Sequence, residues 1–288
     1  MGLHKLPPVN ISSHLFAYET FSRKHLIKIK EKGFTGLELW GMKPYLNYDH
    51  SATVSRLIKG IQEVGINVPT IHAPFYKSIE EVKAGAWLSL GDIDERKRKD
   101  AVTETRKIVF LAEKVSAHTI VIHMGGCSDT TSDIAQMSRS IHELIEDAAT
   151  RNIRLALENI NTDFSRTEKI MNFIARFPGE WLGVCLDIGH ANLNEHPLTA
   201  LANTGERLFS LHLSDNFGKI DQHLIPGEGE ISWKKVKEKL LETAFPGPLT
   251  LELRSADWNY DRTLESAYNN LYRHPGFFKE SLQHGTKR

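Results

Sequence analysis

The segment 182–190, Leu-Gly-Val-Cys-Leu-Asp-Ile-Gly-His, is the stretch that decides the fold. Its first six residues, Leu182–Asp187, form a short apolar run that predicts a buried strand. The run ends on Asp187, and His190 follows shortly after it. In a parallel barrel the interior of each strand is apolar, and its carboxyl end opens onto the catalytic face. The segment therefore predicts a buried parallel strand that delivers two polar side chains to a site.

The pattern recurs along the whole chain, where amphipathic helical stretches lie between the predicted strands. The predicted strands are Val9–Ser12, Gly36–Trp40, Asn67–His72, Thr119–His123, Arg154–Glu158, Leu182–Asp187, Leu208–His212 and Leu249–Glu252. The predicted helices include Lys24–Lys32, Val54–Val64, Asp94–Val115, Ile134–Arg151, Thr167–Arg176 and Trp233–Glu242. Strands that alternate with helices imply right-handed crossovers and a parallel sheet. Eight such units in 288 residues predict an α/β protein with a single domain, a (β/α)₈ TIM barrel over residues 1–288.

An open dinucleotide-binding sheet is the other parallel architecture to consider. It would carry a G-x-G-x-x-G turn after a strand near the start of the chain. The first two predicted strands end in Ile11-Ser-Ser-His14 and Leu37-Glu-Leu-Trp40, and neither contains that motif. The sequence therefore favours the closed barrel.

The composition narrows the class of partner. Lys+Arg and Asp+Glu number 36 each, so the net charge is zero with neutral histidines, which argues against a strong nucleic-acid footprint. The apolar runs are far shorter than the ~20 residues of a membrane span, and no signal-peptide pattern opens the chain. Two cysteines are too few for a disulfide framework. We expect a cytoplasmic protein without a membrane partner, and a homo-oligomer stays open.

Six of the eight predicted strands end on a side chain that can bind a metal ion. With the loop after the seventh strand, these positions supply His72, His123, Glu158, Asp187, His190, His212, Asp221, His223 and Glu252. Carboxylates gathered at one mouth repel one another and raise one another's pKa, so a cation is the simplest way to hold them together. Imidazole and carboxylate ligands suit Zn²⁺, Mn²⁺ or Fe²⁺. The sequence therefore predicts a divalent metal site at the mouth of the barrel.

Five segments carry a resemblance to a known family. The most specific are Leu186-Asp-Ile-Gly-His190 and the run 212–223, His-Leu-Ser-Asp-Asn-Phe-Gly-Lys-Ile-Asp-Gln-His, which continues into Pro226-Gly-Glu-Gly229 and Trp233. Softer support comes from residues 33–39, 71–74 and 157–159. In their order and spacing these segments resemble the xylose-isomerase-like (β/α)₈ superfamily over nearly the whole chain. That superfamily contains sugar isomerases and epimerases alongside endonuclease IV.

The resemblance implies a ligand set for each branch of the superfamily. The sugar isomerases and epimerases typically hold one ion, and their ligand positions match Glu158, Asp187, His212 and Glu252. Endonuclease IV looks like the same site extended to three zinc ions, and the added ligands match His72, His123, His190, Asp221 and His223. The resemblance therefore implies one to three divalent ions per chain, Zn²⁺ or Mn²⁺.

The first functional hypothesis is a metal-dependent sugar or sugar-phosphate isomerase or epimerase. The metal would acidify a C–H beside the sugar carbonyl and stabilise an enediolate, while Glu158 and Glu252 move the proton. The ketose 3-epimerases carry an Arg six residues after the histidine of strand seven. Counting from His212 gives Gly218, beside Lys219, so the 3-epimerase subtype is not implied.

The alternative is an abasic-site phosphodiesterase of the endonuclease IV type, in which clustered zinc ions would activate a water. The complete ligand set favours it. The zero net charge argues against it, as does the loop after the second strand, where Lys43 is the only cation of residues 41–48. A third reading is a metal-binding barrel without catalysis, and the presence of both acid/base glutamates argues against that.

Several further residues are expected near the mouth. His190, Tyr76, Lys219 and Arg254 are the predicted contacts to the substrate, and His14 is a candidate neighbour of the metal ligands. Trp233 is expected to pack under the 212–229 loop, whose glycines permit backbone angles that other residues resist.

Overall fold

A computed structural model describes residues 6–125, 133–160, 162 and 164–273 of the chain. Eight parallel strands close into a barrel in chain order, so the predicted fold class is confirmed. The strands are β1 Val9–Ser12, β2 Gly36–Trp40, β3 Asn67–His72, β4 Thr119–His123, β5 Arg154–Glu158, β6 Leu182–Asp187, β7 Leu208–Leu213 and β8 Leu249–Leu251. Six of them have the predicted bounds. That the domain spans all of residues 1–288 stays a prediction, since both ends lie outside the described residues.

Helices surround the barrel. They are α1 Arg23–Glu31, α2 Ser51–Val64, α3 Ile79–Lys83, α4 Glu95–Val115, α5 Ile134–Ala149, α6 Thr167–Ile174, α7 Ile188–Asn194, α8 Pro197–Thr204, α9 Trp233–Glu242 and α10 Tyr260–Tyr272. The six predicted helices are present, with ends that differ by three residues at most. Two 3₁₀ turns, Ser13–Phe16 and Gly205–Arg207, add to them. No helix among the described residues is long and apolar enough to cross a membrane.

Local sequence sets several of the helix boundaries. The carboxylates of Asp94 and Asp133 accept backbone N–H bonds in the first turns of α4 and α5, which contributes about 1 kcal/mol per cap. Helix α2 ends at Gly65, whose φ of 67° is a left-handed conformation that glycine adopts without strain. Asp187 is both the last residue of β6 and the N-cap of α7. Its Oδ1 accepts the backbone N–H of His190 at 2.8 Å, which stabilises the first turn of that helix.

The main core lies between the strands and the helices and consists of buried aliphatic and aromatic side chains. The barrel interior is different, because fully buried polar side chains stand there among apolar ones. They include Ser12, Glu38, Thr70, Ser210, His212 and Thr250. Buried polar groups need partners to avoid a desolvation cost. The polar residues of the barrel interior are therefore more typical of a functional site than of a purely structural core.

Candidate functional site

The register of the parallel strands brings the predicted ligands to one level. His123 on β4 pairs with Glu158 on β5, and Asp187 on β6 pairs with His212 on β7. Glu252 directly follows β8, and its backbone N–H donates to the Leu213 carbonyl at 3.3 Å. Neighbouring side chains on parallel strands point the same way at equal register. The carboxyl ends of five consecutive strands therefore deliver their polar side chains to the same mouth.

Four of these residues form what we call the central group: Glu158, Asp187, His212 and Glu252. Each offers one ligand atom, and these atoms all lie within 4.8 Å of one another. Nδ1 of His212 is 3.2 Å from Glu158 Oε1, 3.2 Å from Glu252 Oε2 and 4.0 Å from Asp187 Oδ2. Three carboxylates thus surround one imidazole nitrogen in a fully buried position.

The other predicted ligands fall into two further groups. The side group consists of His72, His123 and Glu158, with both Nε2 atoms 3.1 and 3.2 Å from Glu158 Oε2. The outer group consists of His190, Asp221 and His223, and Asp221 Oδ2 lies 2.8 Å from His223 Nε2 and 3.7 Å from His190 Nε2. All nine sequence-predicted ligands are thus brought together, and Glu158 belongs to two groups.

In three of these histidines, one ring nitrogen contacts a residue that offers no ligand atom from that position, and the other nitrogen points into the groups. Nδ1 of His72 donates to the Ala73 carbonyl at 2.8 Å, and Nδ1 of His223 donates to the Glu252 carbonyl at 2.8 Å. Nε2 of His212 lies 3.1 Å from the Glu38 carboxylate. A carbonyl can only accept, so in His72 and His223 a proton is on the nitrogen that faces the carbonyl and the other nitrogen faces a carboxylate. This is the arrangement that metal-binding histidines use.

The pKa values of the clustered side chains are shifted, because burial and the charges of close neighbours act on each of them. Burial alone would raise the pKa of Glu158, but His212 and the neighbouring histidines hold it well below its usual range. Burial lowers the pKa of His190, but the carboxylates of Asp187 and Asp221 outweigh it and raise the pKa to about 10. For Asp187 burial dominates and raises the pKa. Protons on the histidines therefore compensate the carboxylates of the metal-free protein.

Several buried atoms of the three groups lack a hydrogen-bond partner among the described residues, and one of them is a carboxylate oxygen of Asp187. Asp187 Oδ2 is buried and accepts no hydrogen bond from the described residues, while Oδ1 of the same carboxylate is engaged by α7. The Asn159 side chain fixes this residue by binding both its backbone N–H, at 2.7 Å, and its carbonyl, at 3.0 Å. The donor set, the inward-facing imidazole nitrogens and the unpartnered oxygen together fit a divalent ion.

A network around Asp215 supports the loop that carries Asp221 and His223. The buried Asp215 carboxylate accepts the backbone N–H groups of Asn216, Gly227 and Ile231 at 2.9, 2.8 and 3.2 Å. It also accepts the indole N–H of Trp233 at 2.8 Å. Trp233 is buried beneath the loop, in the place the sequence predicted. The loop is therefore anchored at four points by one carboxylate.

The three groups open into a pocket with a volume of about 370 Å³, near the lower end of the usual range of ~300–1,000 Å³ for ligand pockets. One side is aromatic and consists of Trp40, Phe75 and Trp87. Phe75 stacks on His123 with ring centroids 4.4 Å apart and an interplanar angle of 21°. The other side carries the ligands. A larger depression of about 820 Å³ lies at the amino ends of β5 and β7, and none of the nine ligands lines it.

The predicted substrate contacts are not all at the pocket. His190 and Arg254 line it, and Arg254 also pairs with Asp221 at 3.3 Å. Tyr76 is buried beside the aromatic side, with its hydroxyl 3.4 Å from that of Tyr45. Lys219 is exposed, and neither it nor Tyr76 is among the described residues that line the pocket.

The structure adds a residue that sequence reasoning missed as functional and gives His14 a position. Glu38 is fully buried on β2 and contacts His212. Its signal was a lone acidic residue within an apolar strand, but the sequence does not say what it faces. His14 lines the pocket 3.7 Å from Glu252 Oε1, and burial lowers its pKa to about 3.

Comparison with known proteins finds relatives that share the fold. Fructoselysine 3-epimerase of Shigella flexneri is 23% identical over 241 residues, which are 81% of this chain and 85% of that protein. A solved D-tagatose 3-epimerase-like protein superposes with a TM-score of 0.75 at 23% identity, over 92% of this chain and 97% of the other. The 3-keto-D-glucoside 4-epimerase from E. coli superposes with a TM-score of 0.72 at 19% identity, over 93% and 98%.

The family assignment rests on a family model that matches most of the chain. Residues 26–274 match the family described as the xylose isomerase-like TIM barrel. That range includes seven of the eight strands and all nine predicted ligands. The chain therefore belongs to the xylose isomerase-like TIM barrel family.

Proposed function

We propose that this protein is a divalent-metal-dependent sugar isomerase or epimerase that acts by proton transfer at a carbon beside a carbonyl. The observation that carries the proposal is the central group, in which three carboxylates and one imidazole each offer a ligand atom within 4.8 Å of the others. The names of the relatives, a 3-epimerase, a 3-epimerase-like protein and a 4-epimerase, support a reaction of this class. They leave the position of the epimerised carbon to experiment.

In this proposal Glu158 and Glu252 are the acid and base. A bound Zn²⁺ or Mn²⁺ would supply a Lewis acid that polarises the substrate carbonyl and acidifies the neighbouring C–H. Both carboxylates lie 3.2 Å from the same imidazole nitrogen, so both can reach a substrate bound at that point. Glu252 also lines the open pocket, as Glu158 does. One glutamate removes the proton and the other returns it.

The pocket matches a small sugar in its chemistry. The aromatic side formed by Trp40, Phe75 and Trp87 offers apolar faces to the C–H face of a sugar ring. His190 and Arg254 on the other side offer hydrogen-bond donors to its hydroxyls. In this proposal the partner is a small-molecule sugar, and the reaction takes place in the cytoplasm, as the sequence predicts.

The test uses solvent deuterium, because it detects proton transfer before the product is known. The protein is stripped of metal, reloaded with Mn²⁺ or Zn²⁺, and incubated in D₂O with D-tagatose, fructoselysine and a 3-keto-glucoside. We expect deuterium at one carbon of at least one sugar, only in the metal-loaded protein and not in Glu158→Gln. Metal-loaded protein that exchanges no carbon-bound proton in any of the three contradicts the proposal.

A second candidate is favoured by one observation. All nine ligands divide into three groups, which is the number needed for three zinc ions, as in an abasic-site phosphodiesterase. The loop after β2 offers little to DNA, because Lys43 is engaged by Asp49 and Glu104. Elemental analysis and a nicking assay on an abasic duplex decide this candidate. Three bound zinc ions with nicking would establish it, and zinc-loaded protein without nicking would eliminate it.

A further inference from the structure

A carboxylate lies below the central group, inside the barrel, and the proposed proton transfer makes no use of it. Glu38 on β2 is fully buried, and its strand neighbours in register are Ser12 on β1 and Thr70 on β3. Thr70 Oγ1 donates to Glu38 Oε2 at 2.9 Å, and Ser12 Oγ donates to Glu38 Oε1 at 3.3 Å. The two hydroxyls thus fix the orientation of the carboxylate from both sides.

The third partner of Glu38 comes from across the barrel. Nε2 of His212, on β7, lies 3.1 Å from Glu38 Oε2, and both side chains are completely buried. Strands β2 and β7 are not neighbours in the barrel, so this contact spans its interior. Since an imidazole has two nitrogens, the one that faces Glu38 determines what the other can do.

From this contact we infer that Glu38 is a positioning residue for His212. By accepting the Nε2–H bond, the carboxylate keeps that proton on Nε2, so Nδ1 is the nitrogen left to bind an ion held by Glu158, Asp187 and Glu252. This inference rests on the proposed function, because it assumes that the central group binds a metal ion. A hydrogen bond from the outer nitrogen of a metal-binding histidine fixes its tautomer and raises its basicity as a ligand.

The variants separate the hydrogen bond from the charge and from packing. Glu38→Ala removes the acceptor, whereas Glu38→Gln keeps an oxygen that can accept from Nε2–H but removes the charge. Thr70→Val is the matched control, because it removes a hydroxyl from the same buried layer that donates to Glu38 and not to His212. Melting temperatures of the metal-free proteins report whether each variant is folded.

The measurement is zinc affinity by competition with a chromogenic chelator, together with the histidine ¹⁵N spectrum of the zinc-loaded protein. Signals of His212 are assigned by their loss in His212→Asn. We expect Glu38→Ala to bind zinc about 10–100-fold more weakly, and both Glu38→Gln and Thr70→Val to lie closer to the wild type. In the wild type and in Glu38→Gln, Nε2 of His212 should be protonated and Nδ1 bound to zinc.

The outcomes distinguish this inference from the proposed function. Wild-type protein that binds no zinc overturns the metal site itself. If the wild type binds zinc and Glu38→Ala binds it equally well with the same His212 tautomer, only the role of Glu38 is overturned. An equal loss in Thr70→Val would also overturn it, because packing of the layer would then account for the effect. If Glu38→Ala does not fold, the test rests on Glu38→Gln and on the protonation of His212 Nε2. An unprotonated Nε2 in the wild type or in Glu38→Gln would overturn the positioning role of Glu38.

Discussion

The central and outer groups contain similar ligands but are built in different ways. The four members of the central group lie on or directly after strands β5 to β8, and their side chains are at most 7% exposed. In the outer group Asp221 is 26% exposed. Both Asp221 and His223 lie on the loop that Asp215 anchors. The barrel register fixes the first group, whereas the second depends on a loop. We therefore expect the central group to keep its geometry when that loop is disturbed and the outer group to lose it.

The largest effect is expected from Glu158→Gln, because Glu158 belongs to both the central and the side group. Turnover should fall by about 10²–10⁴-fold, the usual contribution of a general acid or base. Steady-state kinetics with metal content measured in parallel checks this. Glu206→Gln on the exposed Gly205–Arg207 turn is a control that should leave turnover unchanged. Full activity in Glu158→Gln would mean that the central group is not the reaction site.

Removing the loop anchor should separate the two groups. Asp215→Ala leaves four donors without their acceptor, and the free energy of unfolding should fall by about 1–3 kcal/mol or more. Denaturant unfolding measures that loss, while zinc titration reports the sites. We expect the affinity of the outer group to fall and that of the central group to persist. Equal weakening of both groups would show that they are not independent, and Asp215→Asn should give a smaller loss on every measurement.

Proton release on metal binding should distinguish the groups by pH. In the metal-free protein the pKa of His190 is raised from 6.5 to about 10, so its stabilising effect is complete below pH 6.5 and is lost toward pH 10. A metal at the outer group must displace that proton, so its affinity should rise by up to about tenfold per pH unit from pH 7. Calorimetry in two buffers of different ionisation enthalpy counts the protons. Asp221→Asn should release fewer, and an unchanged count would place the proton elsewhere.

The smallest effect is expected at Lys219. This residue is exposed and outside the pocket lining, so Lys219→Ala should leave kcat/KM unchanged. Arg254 lines the pocket, and Arg254→Ala should raise KM. Kinetics on the substrate found by deuterium exchange compares the two variants. A large effect of Lys219→Ala would mean that the 212–229 loop closes over the substrate.

The strands and the clustering of the polar side chains at their ends could be predicted because both signals are local. An apolar run that ends on Asp187 or Glu158 indicates a strand and a site in the same few residues. Helices α3, α7, α8 and α10 were not among the predicted helices. The first three have only five to eight residues, which are too few to establish an amphipathic period. The role of Glu38 could not be predicted either. Its partner His212 is 174 residues away and reaches it only across the closed barrel.

The two oxygens of Asp187 link the site to the secondary structure around it. Since Oδ1 begins α7 and Oδ2 faces the central group, an ion that binds Oδ2 also favours the folded state of that helix. His190, a member of the outer group, is carried by the same helix. Binding of a metal ion to the central group would then stabilise the first turn of α7 and, through His190, preorganise the outer group. Amide hydrogen exchange in α7 should slow when metal is added, so that the helix itself reports the occupancy of the site.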